Sequence, residues 1–128
     1  MNKLKVKSDK NVSFINVTDK TIYLGSDDGL ILELPPSGLT LDTENTVTAA
    51  GVIHGWINLT IDRLSYTSKG YSLITDILKE YENGVIVGDK ELADAYIGRV
   101  FVPVAVESDS ARAPDGGQLF YIDRFSIN

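Results

Sequence analysis

Apolar and polar positions change their spacing several times along the chain, and each change predicts a different element. "VSFINV" (12–17) and "KTIYLG" (20–25) are short runs of β-branched and aromatic residues, the composition of strands. "SDDG" (26–29) reads as a hairpin turn, because Asp-Gly supplies the positive φ that a tight reversal needs. "LILEL" (30–34) returns as a strand and stops at "PPSG" (35–38), where two prolines cannot donate to a ladder and Gly38 allows the chain to turn. From Leu39 to Ala50 the chain is rich in threonine and acid and weakly patterned, which predicts strand at both ends with a loop between. Trp56 to Asp62 alternates, with Ile57, Leu59 and Ile61 on one face, and predicts a half-buried strand.

At Gly70 the period lengthens. Ile74, Ile77, Leu78 and Tyr81 follow i, i+3, i+4, i+7 and predict a helix capped by Ser72 and stopped at Asn83-Gly84. "VIV" (85–87) is a short buried strand, and "GDKELADAYIG" (88–98) a shorter helix with Asp89 as cap and Gly98 as terminator. "RVFVPVAV" (99–106) is a strand in which Pro103 marks an edge or a bulge. After the loop "ESDSARAPDGG", "QLFYIDRFSI" (118–127) is the closing strand. The first ten residues, with lysines at 3, 5 and 7, suit either an edge strand or a flexible arm. The sum is an α+β domain, mainly antiparallel β-sheet of short strands with two short helices in the C-terminal half. Only "VIV"–helix–"RVFVPV" resembles a βαβ crossover.

A length of 128 residues fits one domain, 1–128, with a core of its own. The charge of −6 argues against long nucleic acid, which needs a broad basic surface, but leaves room for a small anionic ligand in a local arginine pocket. No cysteine is present, so disulfides, thiolate metal sites and cysteine nucleophiles drop out. The charged opening "MNKLKVKSDK" does not read as a secretory signal, and no apolar run is long enough to span a bilayer; the expected setting is cytoplasmic, without membrane partners.

Chemistry-bearing motifs are scarce. His54, the one histidine, lies between glycines in "GVIHGW" with no serine near it in sequence, and Ser37 is not in a nucleophile elbow. There is no zinc spacing, no EF-hand and no glycine-rich phosphate loop. The expectation is a protein that is not an enzyme and carries no cofactor or metal. Four arginines remain, and three of them, Arg99, Arg112 and Arg124, would come near one another if the last strand pairs with 99–106. Guanidinium forks suit phosphate, and Tyr96, Tyr121 and Phe125 could stack on a base. The competing reading pairs Arg112 with Asp115 or Asp109, and Arg124 with Asp123, as surface ion pairs.

Taken in order, "INVTDKTIYL", "PPSG", "VIVGDKELADAY", "VFVPV", "RAPDGG" and "DRF" resemble the segments of a family of small phage-encoded proteins. Those proteins open with an N-L-T-P-H-like stretch and end in R-D-x-x-G before an aromatic strand. Here Val17-Thr18-Asp19 stands in place of the Leu-Thr-Pro-His opening, and Ala113-Pro114 separates Arg112 from Asp115. A helix at 72–83 also replaces a shorter connector. The family is loosely similar to phage anti-defence (anti-Thoeris) sponges, which are not enzymes and sequester nucleotide immune signals made by bacterial TIR-domain enzymes. The resemblance implies a homo-oligomer that holds a small phosphorylated nucleotide, with Arg112, Asp115 and Arg124 matching the terminal motif. The alternative is a phage accessory or structural protein that binds a host or virion protein, which predicts an exposed apolar or edge-strand surface. For oligomer contact, the helix face around Ile74 and Leu78 is one candidate, although packing on the protein's own sheet accounts for it as well.

Overall fold

The computed structural model describes residues 11–26, 28–107 and 112–127, together with the backbone of 6–9. Lys3, Lys5, Asp27 of the first hairpin turn, Asp109 and Ser110 lie outside them. Nine strands and two helices follow in the order β1 (Val6–Asp9), β2 (Val12–Asn16), β3 (Ile22–Gly25), β4 (Ile31–Leu34), β5 (Thr43–Ile53), β6 (Ile57–Tyr66), α1 (Ser68–Glu80), β7 (Gly84–Val87), α2 (Lys90–Ala95), β8 (Val102–Ala105) and β9 (Leu119–Ser126). The fold is the expected strand-rich α+β type, divided over three sheets.

The first sheet has the order β1-β2-β7, with β1 at its edge antiparallel to β2, and β2 parallel to β7. The second has the order β4-β3-β9-β8, antiparallel except where β3 runs parallel to β9. The third is a ribbon of β5 and β6 alone. The central strands β2 and β7 are covered on both faces. Ile15 and Ile86 point into a core shared with Leu41, Ile74, Ile77, Ala93, Tyr96 and Val100 from the helices and their flanks. Phe14 and Val87, one residue along, point the other way into a core shared with Ile22, Leu24 and Leu34 of the second sheet. Alternation on a strand buried on both sides thus produces three layers: helices, first sheet, second sheet.

The crossover expected at 85–106 is partly present. After β7 and α2, Phe101 bridges Val87 in parallel, and its N–H donates to Ile86 O at 2.9 Å. The chain then leaves for the second sheet, where β8 pairs with β9. Pro103 lies on the edge strand beside a register shift, which fits a residue without an N–H. Asp89 caps α2, its Oδ1 accepting from Leu92 N at 2.9 Å.

Two elements depart from the sequence pattern. α1 begins at Ser68, with Thr67 rather than Ser72 as its cap; Thr67 Oγ1 accepts from Gly70 N at 3.0 Å. Gly70 therefore sits in the first turn rather than ahead of the helix. An added Cβ there would stand 2.6 Å from Tyr96 Cζ and 3.0 Å from Asp42 O, so glycine is set by packing. The second departure is β5, a continuous strand from Thr43 to Ile53 with a bulge between Ala49 and Gly51, where two strand ends and a loop were expected.

A buried asparagine fixes the "PPSG" turn. Asn16 is wholly buried; its Nδ2 donates to Lys20 O at 2.8 Å and Leu34 O at 3.0 Å, and its Oδ1 accepts from Thr18 N at 2.9 Å. Its own carbonyl accepts from Ser37 N at 2.8 Å. Every polar atom of that side chain is used, which is what burial without a stability loss requires.

Gly70→Ala is expected to lower unfolding stability by about 3 kcal/mol through overpacking against Tyr96. Ser72→Ala, on the exposed side of the same helix, is expected to change it by less than about 0.5 kcal/mol. Urea denaturation of the two variants against the parent chain checks both.

Candidate functional site

The expected arginine–aromatic site is dispersed. Arg112 bridges to Gln118, at the start of β9, while Arg124 lies near the other end of that strand. Six residues of strand between Gln118 and Arg124 amount to roughly 20 Å. Arg112, Arg99 and Arg124 are all exposed, and Arg99 follows α2, where its N–H donates to Tyr96 O. Asp115 does not pair with Arg112; its Oδ1 accepts from Gly117 N at 2.9 Å and shapes its own turn. The ion pair seen among the described residues is Lys90–Asp94, at 3.9 Å on α2.

Two of the expected aromatics belong to the core. Tyr96 has no exposed surface, and its hydroxyl donates to Asp42 O and accepts from Thr67 N at 3.3 Å. Phe125 stacks on Phe14, ring centroids 6.0 Å apart, at the margin of the second core. One expected contact does form: the Arg124 guanidinium lies over the Tyr121 ring, 4.3 Å from its centroid. Strand alternation alone would put these two residues on opposite faces. The register shift between Phe120 and Phe125 bends β9 there and brings them together.

Three clefts mark the surface. One of about 590 Å³ lies between the base of the ribbon and α2, lined by Asn45, Asp62, Leu64, Glu91, Asp94 and Ile97, with Arg63 beside them. Three carboxylates against one guanidinium make it unsuited to a phosphate. A second, of about 660 Å³, runs along the start of α1 past Asp42, Lys69 and Asp76. The third, of about 390 Å³, lies between Thr18–Ile22, Gly88–Lys90 and β8. None of the three is lined by Arg99, Arg112 or Arg124. Near the Gln118 end of β9, burial, then Glu33 and Asp115, push the Tyr23 hydroxyl above the ordinary phenol pKa.

The most unusual surface is the ribbon. Among the described residues β5 and β6 pair only with each other, which leaves both outer edges without a strand partner there, and nearly every side chain beyond the base is exposed. The alternation of Ile57, Leu59 and Ile61 is real, but none of the described residues covers that face: Leu59 and Ile61 are 40% and 42% exposed. The half-buried strand expected here is instead a free one. Ile53, paired across the ribbon with Ile57, extends the stripe at 43% exposure. Trp56, expected within the strand, is in the turn at 76% exposure. His54 and Gly55 reverse the chain there with φ of 54° and 75°, and Trp56 N donates to Ile53 O at 3.3 Å. That places the one histidine in a turn.

Opposite the stripe, Asn45, Asp62 and Leu64 face α2, because cross-strand partners share a face. At the base, Tyr66, Tyr71 and Tyr96 form an aromatic cluster, with centroids 4.9 Å (Tyr66–Tyr71) and 5.2 Å (Tyr71–Tyr96) apart. The ribbon is thereby mounted on the core at one end and uncovered at the other. A compositional signal for this surface is present in the sequence: from Asn45 to Ile61, 17 residues, there is no Asp, Glu, Lys or Arg. Surface strands ordinarily carry such charges, and their depletion is typical of interface centres.

The helix face proposed for oligomer contact divides. Ile74 and Ile77 are buried in the first core, while Leu78 remains 42% exposed. Among the described residues no group of His, Cys, Asp or Glu is placed to hold a metal ion, and no helix is long and apolar enough to cross a membrane. No protein-family model, no curated protein and no solved structure matches the chain.

Proposed function

We propose that this chain is a non-enzymatic binding protein that engages another protein through the β5–β6 ribbon. One observation carries the reading: a two-stranded ribbon, anchored at its base, presents an exposed apolar stripe, with Val47 and Val52 exposed on its other face, and carries no charged residue from Asn45 to Ile61. Edge strands of isolated proteins are normally blunted by charge, proline, a bulge or a covering loop, and between Asn45 and Ile61 this ribbon has only the bulge at Ala49–Gly51, which leaves a surface suited to being covered. A photo-crosslinking side chain at Leu59 is expected to give discrete protein adducts in cells expressing the chain, and the same group at exposed Lys79 on α1 none. Equal labelling from both positions, or no adduct from Leu59, would overturn the proposal.

Nucleotide capture, the function that the phage-family resemblance implies, has one observation in its favour, the Arg124–Tyr121 pair. A guanidinium held over a half-buried ring can also meet a phosphate while the open part of the ring stacks on a base. On this reading, calorimetry with cyclic ADP-ribose isomers and cyclic dinucleotides gives a binding isotherm that Arg124→Ala removes and Arg112→Ala keeps. An isotherm that Arg124→Ala leaves intact, or none with any of these nucleotides, would reject it.

A further inference from the structure

We propose that the partner of the ribbon is a second copy of this chain, the two ribbons packing stripe against stripe about a two-fold axis. The inference rests on the ribbon being the binding surface and adds what binds it.

The size of the patch suits such a pairing. Ile53, Leu59 and Ile61 on the stripe, together with Trp56 in the turn at its end, leave on the order of 400 Å² of apolar side chain open. A standard interface takes about 800 Å² from each partner, somewhat more than half of it apolar. Thr46, Thr48 and Ser65, with the charged residues Arg63 and Glu44, lie on the same face toward the base and supply a polar rim.

Charge points the same way. Each copy carries a net −6, so most of its surface repels a second copy. The stretch from Asn45 to Ile61 carries no charge, and joining two such stretches brings no like charges together. A ribbon of ten or eleven residues per strand reaches roughly 30 Å, several Debye lengths, so the acidic bodies stay screened from one another.

Geometry selects faces over edges. Edge-to-edge pairing would extend the sheet but leave both stripes exposed, doubling the apolar surface in water. Face packing at the usual distance of about 10 Å buries both stripes at once, and an isologous two-fold lets Leu59 of each copy meet the same residues of the other.

Sedimentation velocity of the purified chain up to about 100 µM is expected to show a monomer–dimer equilibrium, within the affinity range of interfaces this size. Leu59→Glu is expected to weaken it by at least about 100-fold, since a buried unpaired carboxylate replaces a central apolar contact. Thr60→Glu, the next residue on the opposite face, is expected to leave it within about threefold. The chain has no cysteine, so Leu59→Cys carries a single thiol; a short bis-thiol crosslinker is expected to join two copies of it, and not two copies of the Thr60→Cys variant. A parent chain that stays monomeric and a Leu59→Cys variant that does not crosslink would overturn the proposal. If the Leu59 photo-crosslinker nevertheless captures a different protein, the ribbon stays a binding surface and only its partner is wrong. If it captures nothing, both readings fall.

Discussion

A single phenol hydroxyl ties together the parts on which the rest of this fold hangs. Tyr96 ends α2, and its buried Oη donates to the carbonyl of Asp42, just ahead of β5. The same oxygen accepts from the backbone of Thr67, the cap of α1. Three segments far apart in sequence therefore meet at one atom, the Tyr96 hydroxyl, which is wholly buried and is satisfied by two backbone groups, one from each of the other segments. The absence of a Cβ at Gly70 makes room for it. The consequence reaches the ribbon: both of its strands are gripped where they leave the body, β5 through Asp42 and β6 through Tyr66 in the tyrosine cluster.

That grip matters because a two-stranded ribbon is barely stable alone in water. Among the described residues β5 and β6 have no third strand and no cover beyond their base, so their order is drawn from one end, through the tyrosines and through α2 beside β6. The bulge at Ala49–Gly51 and the turn at His54–Gly55 spend residues on shaping the distal half. A ribbon serving only as a connection between β4 and α1 would need neither, since a short polar loop joins such elements without exposing Trp56.

Local chemistry made much of the body legible. Asp89, Gly29, Gly38 and Gly98 each do what their positions suggested, because caps and positive-φ turns depend on a few neighbouring residues. That β8 could pair with β9 was legible in two apolar runs joined by a turn, whereas the register shift between Pro103 and Ala105 was not. What failed was set at long range. Gly70 looked like a break before a helix because the side chain that needs its space comes 26 residues later. Tyr96 looked like a stacking surface because nothing nearby showed that its hydroxyl would find Asp42. The arginines looked convergent because pairing β8 with β9 was taken to gather them, whereas Arg112 and Arg124 occupy opposite ends of β9. The stripe at Ile57, Leu59 and Ile61 was read correctly as a period and wrongly as a burial, since alternation states which side wants cover and not what supplies it.

That distinction bears on how the charges are arranged. The body carries acids and lysines throughout, while the most exposed stretch carries none, although water-facing strands are where charge costs least. In a monomer the arrangement opposes solubility, placing Ile, Leu and Trp at the end of an arm and leaving its distal edges without charge. In an assembly the same features assign the contact: the charged bodies hold one another off, and the neutral arm is the surface that can be brought together without electrostatic cost. The ribbon's composition is thus disadvantageous for a chain that stays alone and favourable for one whose arm is covered.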